Sequence, residues 1–207
     1  LKEILLNKET LGDIHSVLVE VGQFLPDWRP EIDYKLSVSA NKSLGGGVLL
    51  ELSHELDYLT WLFGPINSVF CDLTNTNSLE IDVEDRVDAI LQNKNVLINL
   101  HMDFLQRHPT RTCKIIGSKG NLVWDIIENK ILIERPKGGL DVVYSEPDYD
   151  KNDMYLDMIR SFNKLITKEI KPLVGVEQSS HVVSLIDAMR ISSKFSKVIE
   201  VSNIINK

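Results

Sequence analysis

The sequence predicts an α+β domain: an open, mainly antiparallel β-sheet with helices packed on one face. Three observations lead there. Seven short apolar or β-branched runs follow one another closely between Ile66 and Tyr144, a spacing that suits hairpins better than parallel crossovers. An apolar stripe of helical period runs between Gly45 and Gly64. From Asp153 onward the helical period returns, so strands are followed by helices that can cover the sheet.

Taken in order, Leu1, Ile4, Leu5 and Leu11 sit at helical spacing, and Gly12 is placed to stop that helix. Asp13 to Phe24 alternates, with Val17, Val19 and Val21 on one side, and reads as a strand. Leu25 to Leu44 carries Pro26, Pro30 and several Asp, Ser and Asn residues and reads as a loop. In the helix that follows, Leu49, Leu52, Leu56, Leu59 and Phe63 form the stripe that anchors it to the sheet. Strands are expected at Ile66–Asn75, Arg86–Gln92, Val96–Leu105, Thr110–Ile116, Asn121–Ile127, Lys130–Arg135 and Asp141–Tyr144. In the third of these, Val96, Ile98, Leu100, Met102 and Phe104 share the core face and Asn99, His101 and Asp103 the other. Ser118 to Gly120 fits a tight hairpin turn. Met154, Met158, Phe162 and Leu165 stripe a helix ended by Pro172, and Glu177 to Val198 forms the last helix, with an edge strand at Val198–Val201. No linker or repeat divides the chain, so residues 1–207 are expected to form one domain.

A chain of 207 residues buries roughly 70% of its unfolded surface. Hydrophobic content of 43% and charged content of 26% describe an ordinary globular protein. No apolar run reaches the ~18 residues of a membrane span and no signal segment opens the chain, so no membrane partner and a cytoplasmic location are expected. The net charge of -7 argues against nucleic acid as a partner. Cys71 and Cys113 stand apart in strand-like runs and are expected to be buried, reduced thiols. The leading Leu1 suggests a fragment or a processed product.

On a helical wheel Glu51, His54, Glu55 and Tyr58 gather opposite the apolar stripe, where spacings of three and four let side chains meet. An imidazole flanked by carboxylates and a phenol can move protons near neutral pH. A solvated face with one surface histidine would show the same spacing. Gly45, Gly46 and Gly47 disfavour helix and suit a backbone that approaches something closely or offers free N–H groups; a flexible lead-in is the alternative. They are not a dinucleotide fingerprint, since Leu50 stands where the third glycine is needed. Nor is HELDY a zinc motif, because Tyr58 replaces the second histidine, and no metal is expected. Upstream, Trp28, Arg29, Asp33, Tyr34 and Lys35 mix stacking and charged groups suited to a sugar with a phosphate or carboxylate, or simply to a loop tied down by Trp28. His101, Asp103, Arg107 and Arg111 are further polar candidates near a strand end, equally suited to an oligomer interface.

The run GGGVLLELSHELDYLTWLFGP resembles the C-terminal domain signature of the Gfo/Idh/MocA oxidoreductases, the family of glucose-fructose oxidoreductase and inositol dehydrogenase. The opening KEILLNKETLGDIHSV, the hairpin KIIGSKGNLVWD and the closing IDAMRISSKFSKVIEV are similar to other parts of that domain. The resemblance implies the glyceraldehyde-3-phosphate dehydrogenase-like C-terminal fold. It also implies that NAD or NADP is bound mainly by an N-terminal Rossmann domain absent from this chain, and that the fragment alone is inactive. By resemblance His54 is the proton donor and acceptor and Glu51 its acidic partner, although the family's usual acid is an Asp four residues before the His. Asp57 matches the Asp that follows the His. Arg29, Tyr34, Lys35, Asp57 and Tyr58 would bind a sugar or sugar nucleotide, and Gly45 to Gly47 would lie toward the nicotinamide. The branch resembled implies surface-polysaccharide or nonulosonate biosynthesis, and pairing of copies through the sheet face implies a homodimer or homotetramer. The alternative is a non-catalytic sugar-binding or oligomerisation module of the same fold.

Overall fold

A computed structural model describes residues 1–201; residues 202–207 of the expected domain lie outside the described residues. The first helix is two short ones, α1 (Lys2–Leu6) and α2 (Lys8–Leu11), because Asn7 is extended between them and its side chain accepts from the Glu9 N–H. Strand β1 (Ile14–Gly22) follows, then a loop of 3-10 turns up to Leu44. The long glycine-led helix is also divided, into α3 (Val48–Glu51) and α4 (Ser53–Phe63), where Leu52 leaves helical geometry at φ -100° and ψ 18°.

Strands β2 (Ser68–Thr74), β3 (Arg86–Gln92), β4 (Leu97–Asp103), β5 (Thr110–Gly117), β6 (Asn121–Asp125), β7 (Lys130–Glu134) and β8 (Leu140–Ser145) come next. Helix α5 (Lys151–Ile166), helix α6 (Val176–Phe195) and the edge strand β9 (Ile199–Glu200) complete the described chain. Among the described residues the nine strands form one sheet in the order β8-β7-β6-β5-β1-β4-β3-β2-β9. Every pairing is antiparallel except β1 with β4. Hairpins alone do not account for that parallel pair. The chain leaves β1, crosses through α3 and α4, and lays the β2–β3–β4 meander back beside it, so that Val17 faces Ile98 and Val21 faces Met102.

Period-2 alternation decides the faces. Val17, Val19, Ile98, Leu100, Met102, Cys113 and Ile115 point inward, where Leu49, Leu56 and Leu59 of the divided helix and Leu185 and Met189 of α6 cover them. The expected stripe holds, with Leu49, Leu56 and Leu59 fully buried, Leu52 nearly so and Phe63 packed against the core. Both thiols are buried and unpaired by disulfide. The opposite face is uncovered and carries Leu18, Phe70 and Ile90 at 42%, 41% and 43% exposure. Helix α5 forms as the period predicts, but its stripe does not reach a core: Met154, Met158 and Phe162 are all exposed. It ends before Pro172, with Lys168 left-handed at φ 59°. No described helix is long and apolar enough to cross a membrane.

Candidate active site

The break at Leu52 decides what the glycine-led helix presents. The wheel that set Glu51, His54, Glu55 and Tyr58 on one face assumes an unbroken helix; the break parts Glu51 from the other three, which share α4. Glu51, at the end of α3, lines a recess of about 420 Å³ with Arg29, Tyr34 and other residues of the 25–39 loop. His54, in the first turn of α4, lines a separate cleft of about 300 Å³ at the meeting of the β1 end and the β5 start. Trp28 is a wall of both.

Glu55 turns inward and is wholly buried. Its Oε1 accepts a hydrogen bond from Arg111 Nε at 2.8 Å, and His54 Nε2 lies 3.3 Å from the same oxygen. Arg111 reaches it because residues 111, 113 and 115 of β5 all face the helices. The acid beside His54 is therefore Glu55 rather than Glu51. A buried carboxylate on one imidazole nitrogen fixes the ring's orientation and leaves the other nitrogen to the half-exposed side of the cleft. Tyr58 packs edge-on to Trp124 at 5.5 Å, and its buried hydroxyl makes no hydrogen bond among the described residues. Burial holds its phenol well above the ordinary range, with Cys113 and Glu55 adding to the effect. Burial likewise pushes the Cys113 thiol up to about 12.

The remaining expected site residues are placed elsewhere. Tyr34 donates to the Leu79 carbonyl at 2.9 Å and Lys35 pairs with Glu80, which ties the loop to the β2–β3 connection. Asp33 caps that turn by accepting from the Lys35 N–H. Asp57 accepts from Gln178 of α6 at 3.2 Å. Gly45 is left-handed at φ 82° with open space around it. A Cβ on Gly46 would meet the Val38 carbonyl at 2.3 Å, and one on Gly47, at φ 108°, the Glu84 carboxylate at 2.3 Å. The N–H groups of Gly46 and Gly47 donate to the carbonyls of Asn41 and Ser39. The close approach that these glycines permit is therefore to the chain's own backbone and to Glu84.

On the open face His101 lies between Asp88, at 2.7 Å, and Asp103, at 2.9 Å, away from the His54 cleft. The Asp103 hydrogen bond, reinforced by Asp88 against the effect of burial, raises its imidazole to about 9. Arg107 stacks on Phe24 with its guanidinium 3.5 Å from the ring centre. Among the described residues no group of three or more His, Cys, Asp or Glu side chains could hold a metal ion. Sequence reasoning missed Lys151, which opens α5 and lines the His54 cleft; its only signal was its position at a helix start following Asp150.

The family model for the GFO/IDH/MocA C-terminal domain matches residues 2–123. No curated protein sequence matches the chain. Among solved structures, a levoglucosan dehydrogenase in complex with NADH superposes with a TM-score of 0.83 at 18% identity, over 99% of this chain and 63% of that one. An NAD-binding oxidoreductase from Klebsiella pneumoniae does so at 0.81 and 15% identity, over 97% and 62%. GenD2 from gentamicin A biosynthesis, in complex with NAD, gives 0.76 at 18% identity, over 97% and 59%. The chain thus spans less than two thirds of the length of these neighbours and shares their fold across nearly all of its own.

Proposed function

We propose, from the premise that this chain belongs to the GFO/IDH/MocA family as its C-terminal domain, that it is the substrate half of a nicotinamide-dependent oxidoreductase acting on a sugar or sugar-nucleotide hydroxyl or carbonyl. The observation that carries the reading is His54 at the mouth of a cleft, backed by the buried Glu55–Arg111 pair. A nicotinamide dinucleotide, when bound, supplies the hydride acceptor or donor. The residues described suit only its reacting end, because the N–H groups of Gly46 and Gly47 are already used within the chain and cradle no phosphate. We assign the dinucleotide-binding half, and with it the choice between NAD and NADP, to residues outside this chain.

In this reading His54 takes the proton from a sugar hydroxyl during oxidation and returns one to the carbonyl during reduction. Glu55 holds the ring and offsets the charge it gains, and the Arg111 Nε–H donates to that carboxylate in its buried place. Trp28 offers an aromatic wall for the sugar's apolar face. Glu51 and Arg29 face the neighbouring recess and so would meet a more distant part of the substrate than the reacting carbon. Pairing of two copies is proposed on the uncovered sheet face, where Leu18, Phe70 and Ile90 are exposed. That pairing would serve a non-catalytic module equally well.

The test is sugar-dependent reduction of NAD or NADP by the full-length protein, followed by nicotinamide absorbance across a panel of aldoses and sugar nucleotides. Turnover that is lost in His54→Ala supports the reading. No turnover on any member, by protein that binds the dinucleotide, would overturn it in favour of the non-catalytic module.

A further inference from the structure

The cleft at His54 is walled by cations in an acidic protein, with the one adjacent carboxylate, Glu55, buried behind His54 and Arg111. The chain carries 30 Asp and Glu against 23 Lys and Arg, yet no carboxylate lines this cleft. Its polar wall consists of Gln23, Trp28, His54, Thr110, Arg111 and Lys151. Arg111 commits Nε to Glu55 and shows no further bond among the described residues, so its terminal nitrogens remain for another acceptor. Lys151 has no ion-pair partner among the described residues either. Its acidic sequence neighbours Asp148, Asp150 and Asp153 line a different recess. Two cations from distant parts of the chain, β5 and the start of α5, thus converge on the volume that His54 faces. Arg111 is itself held in place by a buried carboxylate, which prevents it from folding back into solvent.

We infer that the substrate of this cleft carries an anionic group, a carboxylate or a phosphate, close to the reacting carbon, and that Arg111 and Lys151 hold it. The inference rests on the oxidoreductase reading above and narrows its substrate class from sugars in general to acidic sugars. Arg111 offers paired N–H donors to a planar or tetrahedral anion, while Lys151 supplies a second, movable charge from the opposite wall. The cleft volume of about 300 Å³ lies at the small end of small-molecule sites, which fits a monosaccharide unit.

Titration calorimetry on the full-length protein tests this with D-glucuronate, D-glucose 6-phosphate and D-glucose as probes. At least one anionic sugar should bind about tenfold tighter than glucose or better, the equivalent of about 1.4 kcal/mol, and the preference should weaken with added salt. Which of the two binds tighter identifies carboxylate or phosphate as the group. Lys151→Met should remove most of the preference without unfolding the protein, because Lys151 is exposed, and Lys151→Arg should restore it. Glucose binding as tightly as both anions, no measurable binding of any probe, or a preference unchanged in Lys151→Met would each overturn the inference. The two readings fail separately. Turnover of neutral sugars with no anionic preference would remove only the acidic-sugar claim. An anionic preference in a protein that turns over no sugar would remove only the oxidoreductase claim.

Discussion

Arg111→Leu is the perturbation whose magnitude the structure defines best. Glu55 is 0% exposed, and its Oε1 accepts from Arg111 Nε at 2.8 Å. Removing the guanidinium leaves a buried carboxylate with only the neighbouring His54 ring, at 3.3 Å, to offset its charge. Breaking a buried pair in this way costs about 3–5 kcal/mol. Arg111 itself is 34% exposed, so water already screens part of the pair and the lower end, about 3 kcal/mol, applies. At about 2–4 °C per kcal/mol for a domain of this size, Tm should fall by about 6–12 °C. Urea unfolding and differential scanning calorimetry would measure both. Replacing the charge as well, in Glu55→Gln with Arg111→Leu, should recover most of the loss, because the uncompensated ion is then gone. A single-variant loss below about 1 kcal/mol, the size of an exposed ion pair, would refute the claim that this pair is a buried support for His54.

Gly47→Ala should destabilise the chain by about 1–3 kcal/mol, since its φ is 108° and the added Cβ would meet the Glu84 carboxylate at 2.3 Å; unfolding midpoints would measure this, and a neutral result would contradict the geometry. His101, raised to about 9 chiefly by Asp103, stabilises the fold fully below its unfolded value near 6.5. That contribution disappears as pH rises through about 9. Denaturant unfolding at neutral pH and above pH ~10 should show the wild type losing stability that His101→Gln never had; parallel pH curves for the two proteins would count against the network.

The strand count, the apolar stripe on the glycine-led helix and the buried thiols are legible because they depend on local alternation and spacing. Val17, Val19 and Val21 mark the inner face of β1 whatever lies beside it, and Leu49, Leu56 and Leu59 keep their helical spacing through the break. The break itself is not legible. Leu52 is an ordinary helix former, and it departs from helix where Val48 and Leu49 are held by Glu84, whose carbonyl and carboxylate accept their N–H groups. That departure separates Glu51 from His54, whereas Glu55 turns to the core with Leu56 and Leu59 by the spacing of the unbroken α4, so the four polar residues of the wheel divide among a recess, a cleft and the core. Glu55 acquires its meaning only from Arg111, 56 positions later on another element. Tyr34 and Lys35 look like free polar groups until the β2–β3 connection supplies Leu79 and Glu80. The parallel β1–β4 pair is invisible for the same reason, because adjacency in the sheet skips two strands of sequence. The α5 stripe shows the converse error, since its spacing forms a helix without providing anything to cover Met154, Met158 and Phe162.

The central claim is that His54, held by Glu55, moves the proton. Single-turnover stopped-flow on the full-length protein, with wild type and His54→Ala saturated in sugar and dinucleotide, tests it most directly. The variant should bind both ligands normally and carry out the chemical step about 10²–10⁴-fold more slowly. A His54→Ala protein that transfers hydride at the wild-type rate would contradict the account.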